Sequence, residues 1–206
     1  MEAAEIIETQ AWVRRAVVGL NLCPFAKAPL AKAQIRFVLS AAADTDALLE
    51  QLRAELHTLA AADPQVTETT LLIHPGVLAD FLDFNDFLER ADGALEDAGL
   101  AGTIQLASFH PRYQFAGTHI DDLSNATNRS PYPTLHLLRE ASMDRAVAAF
   151  PEAEAIFEAN IRTLEALGAG GWAMLQAQCR ADAADAANAV EVAATTQTPT
   201  QTPTLP

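Results

Sequence analysis

The chain has 206 residues and a mass of 22.0 kDa, room for one domain with a sizeable core and too little for two independent enzymatic domains. Half the residues are hydrophobic and mean hydropathy is +0.08, a globular composition rather than a disordered or fibrous one. Thirteen basic residues against 27 acidic ones leave a formal charge of −14, which repels polyanions and argues against nucleic acid as a partner.

The first residues carry Glu2, Glu5 and Glu8 where an export signal needs a basic start and an unbroken apolar stretch. No run approaches the roughly 20 apolar residues of a membrane span, so neither export nor membrane insertion is expected. Ile6, Trp12, Val13, Ala16, Val17 and Leu20 fall mostly on one helical stripe, and their spacing predicts an amphipathic helix ending near Gly19. Asn21-Leu22-Cys23-Pro24 then breaks the pattern. Residues 35–39 are short and partly β-branched and predict a strand. Residues 44–62, with an acidic first turn and leucines at 48, 49, 52, 56 and 59, predict a helix. The apolar run 69–73 lacks polar alternation, as a strand covered on both faces does, and ends in His74-Pro75.

Residues 78–98 predict a third helix, with Gly99 at its stop and Phe81, Phe84 and Phe87 as its core side chains. A strand over 103–109 ends, like the one before it, in His-Pro: His110-Pro111. Periodicity then disappears from Pro111 to Pro133, a long loop rich in Gly, Pro, Asn, Asp, Arg and Tyr. A fourth strand is expected near 135–138 and one or two helices, broken near Pro151, over 144–167. After the glycines at 168, 170 and 171 comes an alanine-rich helix. The expected fold is α/β or α+β: one globular domain over 5–180 with about four strands packed by helices, and an Ala-rich, then Thr/Pro-rich tail over 181–206, largely disordered. If the first three strands pair in parallel, His74 and His110 leave one sheet edge, where open sheets bind ligands; a ferredoxin-like antiparallel order would scatter them.

Long loops without structure of their own are uncommon in compact domains and tend to be functional or disordered. The 111–133 loop has Tyr113, Phe115, Ile120, Leu123 and Tyr132 to anchor it, and it concentrates polar side chains. Three chemical readings are open. In the first, His74, His110 and His119, with Asp121 or Asp122, hold a divalent metal, zinc, iron or manganese; imidazoles and carboxylates are its usual ligands. The plain alternative makes His74 and His110 strand-end residues bonded to backbone. In the second, Cys23, just before a proline and one turn from Lys27, is a nucleophilic or redox thiol at a helix start that favours thiolate; the plain alternative is a small buried residue closing the first helix. In the third, arginines gathered around the loop clamp a small anion, against internal pairing with Asp121, Asp122 or Glu140.

Together these make Cys23, His110, His119 and Asp122 the candidate catalytic residues, and Arg112, Asn125, Asn128, Arg129, His136 and Arg139 the candidate substrate contacts. The functional expectation is a small cytoplasmic enzyme acting on a small anionic molecule through a His/Asp/Arg loop site, metal-assisted or not. The alternatives are a Cys23-based nucleophilic or redox enzyme and a non-catalytic binding or regulatory module. Two widely separated cysteines suit a reducing compartment, and the alanine-rich helix offers a face for a homo-oligomer.

Three strings carry a resemblance: Gly19-Leu20-Asn21-Leu22-Cys23-Pro24-Phe25-Ala26, Phe109-His110-Pro111-Arg112-Tyr113-Gln114-Phe115, and Asn125 to Pro133 followed by Leu135-His136-Leu137-Leu138-Arg139-Glu140. With them the sequence, roughly from Glu5 to Leu167, resembles a bacterial family catalogued as domain of unknown function 1415. The resemblance implies one domain with this layout and implies no activity.

Overall fold

Apolar spacing in the first residues does form a helix, α1 (Ala4–Trp12), which continues into a π-helical turn, Val13–Val18. The wider turn shows in its closing bond, from the Gly19 N–H back to the Arg14 carbonyl. A Cβ at Gly19 would lie 2.3 Å from the Arg15 carbonyl oxygen, so glycine is the residue that can close it. A 3₁₀ turn (Pro24–Ala26) and a short helix α2 (Lys27–Ala31) follow in the stretch read as a break. The described structure, a computed structural model, covers residues 2–149 and 155–196, with side chains up to residue 189.

Next come β1 (Ile35–Leu39), α3 (Thr45–Ala61) and β2 (Thr69–Ile73), then α4 (Phe81–Asp97) and β3 (Ile104–Phe109). Both long helices start on aspartate caps: the Asp44 carboxylate accepts from the Ala47 N–H, and the Asp80 carboxylate from the Leu82 N–H. A 3₁₀ segment (Leu123–Asn128) organises the end of the long loop before β4 (Thr134–Arg139). Helix α5 (Glu140–Ala148) begins directly after β4, earlier than the spacing predicts. The final helix, α6 (Ile156–Thr196), kinks at Gly168, whose φ of 71° and ψ of 167° are non-helical. The break expected near Pro151 lies outside the described residues.

The sheet order is β1-β2-β4-β3. Strand β1 pairs parallel with β2, but β4 enters between β2 and β3 and runs antiparallel to both. The arrangement is therefore mixed, neither an all-parallel pairing of the first three strands nor a ferredoxin-like antiparallel sheet. Two antiparallel pairings in succession still leave β1, β2 and β3 pointing the same way, so His74 and His110 do leave the same edge. Register separates the two faces. Leu72, Ile104, Leu135 and Leu137 pack under α3 and α4 with Leu52, Leu56, Phe84 and Phe87. Ile35, Phe37, Leu71 and Phe109 pack under α1 and α6 with Trp12, Leu164 and Trp172. The result is one α+β domain, a four-stranded sheet between two helical layers.

The body extends past Arg180. Asp182 takes a bidentate ion pair from Arg15 on the π turn, at 2.9 and 2.8 Å, and Ala183 is buried. Residues 181–196 thus continue α6 instead of opening the tail, while 197–206 lie outside the described residues. Among the described residues no helix is long and apolar enough to cross a membrane.

Candidate functional site

The polar side chains of the 111–133 loop are directed mostly at the loop's own backbone. Asn125 is fully buried; its side-chain oxygen accepts from the Phe115 N–H and the Thr118 hydroxyl, both at 2.9 Å, and its Nδ2 donates to the His119 carbonyl at 2.8 Å. Asp122 accepts from the His119 N–H at 2.8 Å. Arg129 donates through Nε and Nη2 to the carbonyls of Tyr113 and Ile120. Asn128 donates to the Ser108 carbonyl at the end of β3. Arg139 lies away from the loop and donates to the carbonyls of Leu59, Ala62 and Thr67, closing the C-terminal end of α3. These arginines neither pair with Asp121, Asp122 or Glu140 within hydrogen-bond reach nor point together at an open anion site; backbone carbonyls, short of partners at a helix end or in a loop, occupy them. Arg112 is exposed.

His74 and His110 do come together, but around a phenyl ring. Phe84 lies between them, its centroid 5.7 Å from His74 and 5.2 Å from His110. His110 Nε2 faces the Leu78 carbonyl at 3.2 Å and its Nδ1 accepts from the Arg112 N–H at 3.0 Å, so both nitrogens are engaged and the neutral Nε2–H tautomer is fixed. His74 Nδ1 donates to the Val77 carbonyl, leaving a buried Nε2 without a partner. Burial pushes the His74 pKa down to about 4. The two imidazoles thereby pin the loop between β2 and α4, including Leu78 at a positive φ of 58°.

His119 and Asp121 stand apart from this pair on the surface, 3.5 Å from each other, with side chains 73% and 87% exposed. The four proposed metal ligands are thus split between interior and solvent. Among the described residues no group of three or more His, Cys, Asp or Glu side chains is placed to hold a metal ion. His110, His119, Asp121 and Arg129 do not converge on one open pocket.

The fold leaves a cavity of about 310 Å³ on the other face of the sheet. Its floor is Thr69 and Leu71 of β2, His136 of β4 and Phe109 of β3; its roof is Trp12, Val13 and Val17 of the first helix, the Cys23–Pro29 turn, and Met143 of α5. Asn128 and Arg139 also line it. The walls are largely apolar, as small-molecule pockets are.

One polar group in this floor is unusually well defined. The Thr69 hydroxyl donates its single proton to the Leu137 carbonyl at 2.6 Å. It can then only accept from His136 Nε2, also 2.6 Å away, so Nε2 carries the proton and Nδ1 is a bare lone pair. Nδ1 has no partner among the described residues and the ring keeps partial exposure through the cavity. Surrounding apolar atoms push the His136 pKa down to about 4, so the ring is neutral at pH 7.

Cys23 shares the cavity. Amide groups of Phe25 and Ala26 face its sulfur and favour thiolate, but burial outweighs them and the thiol's pKa is raised above its ordinary value. Its place before Pro24 gives little help to a thiolate: the following 3₁₀ turn is only three residues long, and a turn that short has little dipole to offer. Cys179 is buried on α6, and both cysteines are free.

Sequence reading named Cys23, Asn128, His136 and Arg139 and missed Thr69, Trp12, Phe25 and Met143. A signal for Thr69 existed. Thr69 and His136 are polar residues at same-face positions of β2 and β4 beside Leu71 and Leu138, and in the observed register they are diagonal neighbours.

The model of the family described as protein of unknown function (DUF1415) matches residues 4–174, and the chain belongs to that family. No curated protein and no solved structure matches the chain.

Proposed function

We propose that this family member binds a small, largely apolar molecule carrying one hydrogen-bond donor in the cavity beneath Cys23–Pro29, with His136 Nδ1 accepting from that donor. The observation that carries the reading is the Thr69 contact, which fixes the ring's tautomer and leaves an open acceptor in an apolar floor. Anions are poorly served here, because Glu68 lies in the lining and Arg139 is engaged by three carbonyls. A cytoplasmic setting suits the two free thiols.

Indole and benzofuran, alike in shape but differing in one N–H, test this directly by titration calorimetry or NMR. Indole should bind roughly 5-fold tighter, the worth of one neutral hydrogen bond, and His136→Phe should erase the difference. Equal binding of the two by the wild type, or binding of neither, removes the reading.

A second reading, thiol chemistry at Cys23, is favoured by the two amides facing its sulfur and by the open imidazole nitrogen of His136 that shares its cavity. It requires iodoacetamide to label Cys23 faster than Cys179 at pH 7.5, with that advantage reduced in His136→Phe. Equal or slower labelling of Cys23 excludes it.

A further inference from the structure

A second cavity, of about 200 Å³, shares Trp12 with the first. The chain step from Asn128 to Arg129 divides them: Asn128 lines the first cavity and Arg129 the second. Its chemistry is different. Arg129 is half-buried; its guanidinium is met by two carbonyl dipoles, and the carboxylate that acts on it, Asp121, does so from beyond the 4 Å of an ion pair. That is notable in a chain with 27 acidic residues, because a cation withdrawn from water is normally matched by an opposite charge. Arg180 and Gln176, from one turn of α6, add further donors to the lining. The Trp12 indole N–H, in a residue only 3% exposed, has no acceptor among the described residues.

Opposing these donors is Glu8, whose carboxylate accepts from the Tyr132 hydroxyl at 2.8 Å. Within the lining two arginines face one glutamate, with Asp121 acting on Arg129 from outside it, so the site has at most one positive charge to spare, which suits a monoanion and disfavours a dianion. A carboxylate matches the planar fork of Arg180, while Arg129, whose Nε and Nη2 are taken by the Tyr113 and Ile120 carbonyls, has Nη1 left to offer; the cavity's size restricts the molecule to a few heavy atoms.

We propose that this second cavity is a binding site for a small monocarboxylate, with Arg129 and Arg180 supplying the charge and the Trp12 indole N–H a further donor. Its lining shares only Trp12 with the His136 cavity, and its charged groups line the second cavity alone.

Acetate is the probe. With only two tryptophans in the chain, the indole N–H resonances of ¹⁵N-labelled protein number two, and Trp172→Phe assigns the one from Trp12. At constant ionic strength, with chloride as the balancing salt, acetate should move the Trp12 resonance downfield to saturation. Arg180→Gln, an exposed substitution that leaves the loop bonds of Arg129 in place, should weaken half-saturation at least 5-fold. A Trp12 resonance that does not move or never saturates overturns the proposal, and so does an unchanged half-saturation in Arg180→Gln. Indole titrated on the same spectrum separates the two readings: failure of indole to bind removes the His136 reading and leaves the acetate result standing, and the reverse holds equally.

Discussion

Two regions of this molecule invert the expectation that function lies where polar residues gather. The 111–133 loop holds histidines, aspartates, asparagines and arginines within a short span, yet Asn125, Asp122 and Arg129 are bonded to the loop's own backbone. The cavity under Cys23–Pro29 is lined mostly by apolar side chains and reads as core, yet it holds an imidazole with an open lone pair. The difference is one of supply. A long loop has many unpaired amides and carbonyls that must find partners, so its polar side chains are consumed locally. A sheet face has its backbone already paired, so a polar side chain there has no local obligation beyond the one neighbour that orients it.

Two buried histidines, one of them in the cavity, predict the largest effect. Burial lowers His74, which pins the β2–α4 connection, and His136, in the cavity floor, to about 4 each. An unfolded histidine titrates near 6.5, so between these values the unfolded chain binds more protons than the native one, and stability falls as pH falls. The contribution is complete above about pH 6.5 and is lost on the way down to about 4, at roughly 3 kcal/mol per histidine. Urea denaturation from pH 7.5 to 4.5 should show this loss, and His136→Phe should have a shallower dependence than the wild type. Parallel curves would mean that the cavity floor is wetter than its geometry implies.

Inside the loop the largest single effect should come from Asn125→Ala. It removes the sole partner of the Phe115 N–H and one of two partners each of the Thr118 hydroxyl and the His119 carbonyl, which keep the Phe115 carbonyl and the Asp122 N–H, and a buried polar group left unmet costs about 1–3 kcal/mol when water cannot replace the bond. A loss of about 2 kcal/mol is expected in urea denaturation, with partial relief from water at the loop surface. A loss below about 1 kcal/mol would show that the loop does not depend on this side chain, and the contrast with the cavity would weaken.

How much of this could be read from sequence follows the same division. Strands at 35–39 and 69–73 and helices capped at Asp44 and Asp80 were legible because their signals are local: apolar period, cap and stop. The insertion of β4 between β2 and β3 was not, since it joins segments more than 60 residues apart and leaves no mark on either strand's pattern. The π turn escaped for a related reason, because its residues satisfy a helical stripe equally well. In the site, sequence revealed donors without revealing acceptors. Arg129 looks the same whether its partner is a ligand or the Tyr113 carbonyl, and His136 looks like an ordinary strand residue until Thr69 is seen beside it. Cys23 was recognised for its position, and its burial, which decides its pKa, depends on a roof built from three distant elements.

The smallest expected effect is also the most diagnostic. His119 lies six residues from Asn125, but its ring is out in solvent and its side chain makes only the 3.3 Å contact with the Asp121 N–H and the 3.5 Å contact with the Asp121 carboxylate. Its contribution to the loop is through its backbone N–H and carbonyl, which Asp122 and Asn125 bind and which alanine would keep. His119→Ala should therefore stay within the roughly 0.5 kcal/mol of an ordinary surface substitution and leave indole and acetate binding unchanged. If His119→Ala instead abolished a binding or catalytic activity while the fold stayed intact, the histidine would be acting on something other than the protein, and the loop rather than the cavity would be the place where this molecule meets its ligand.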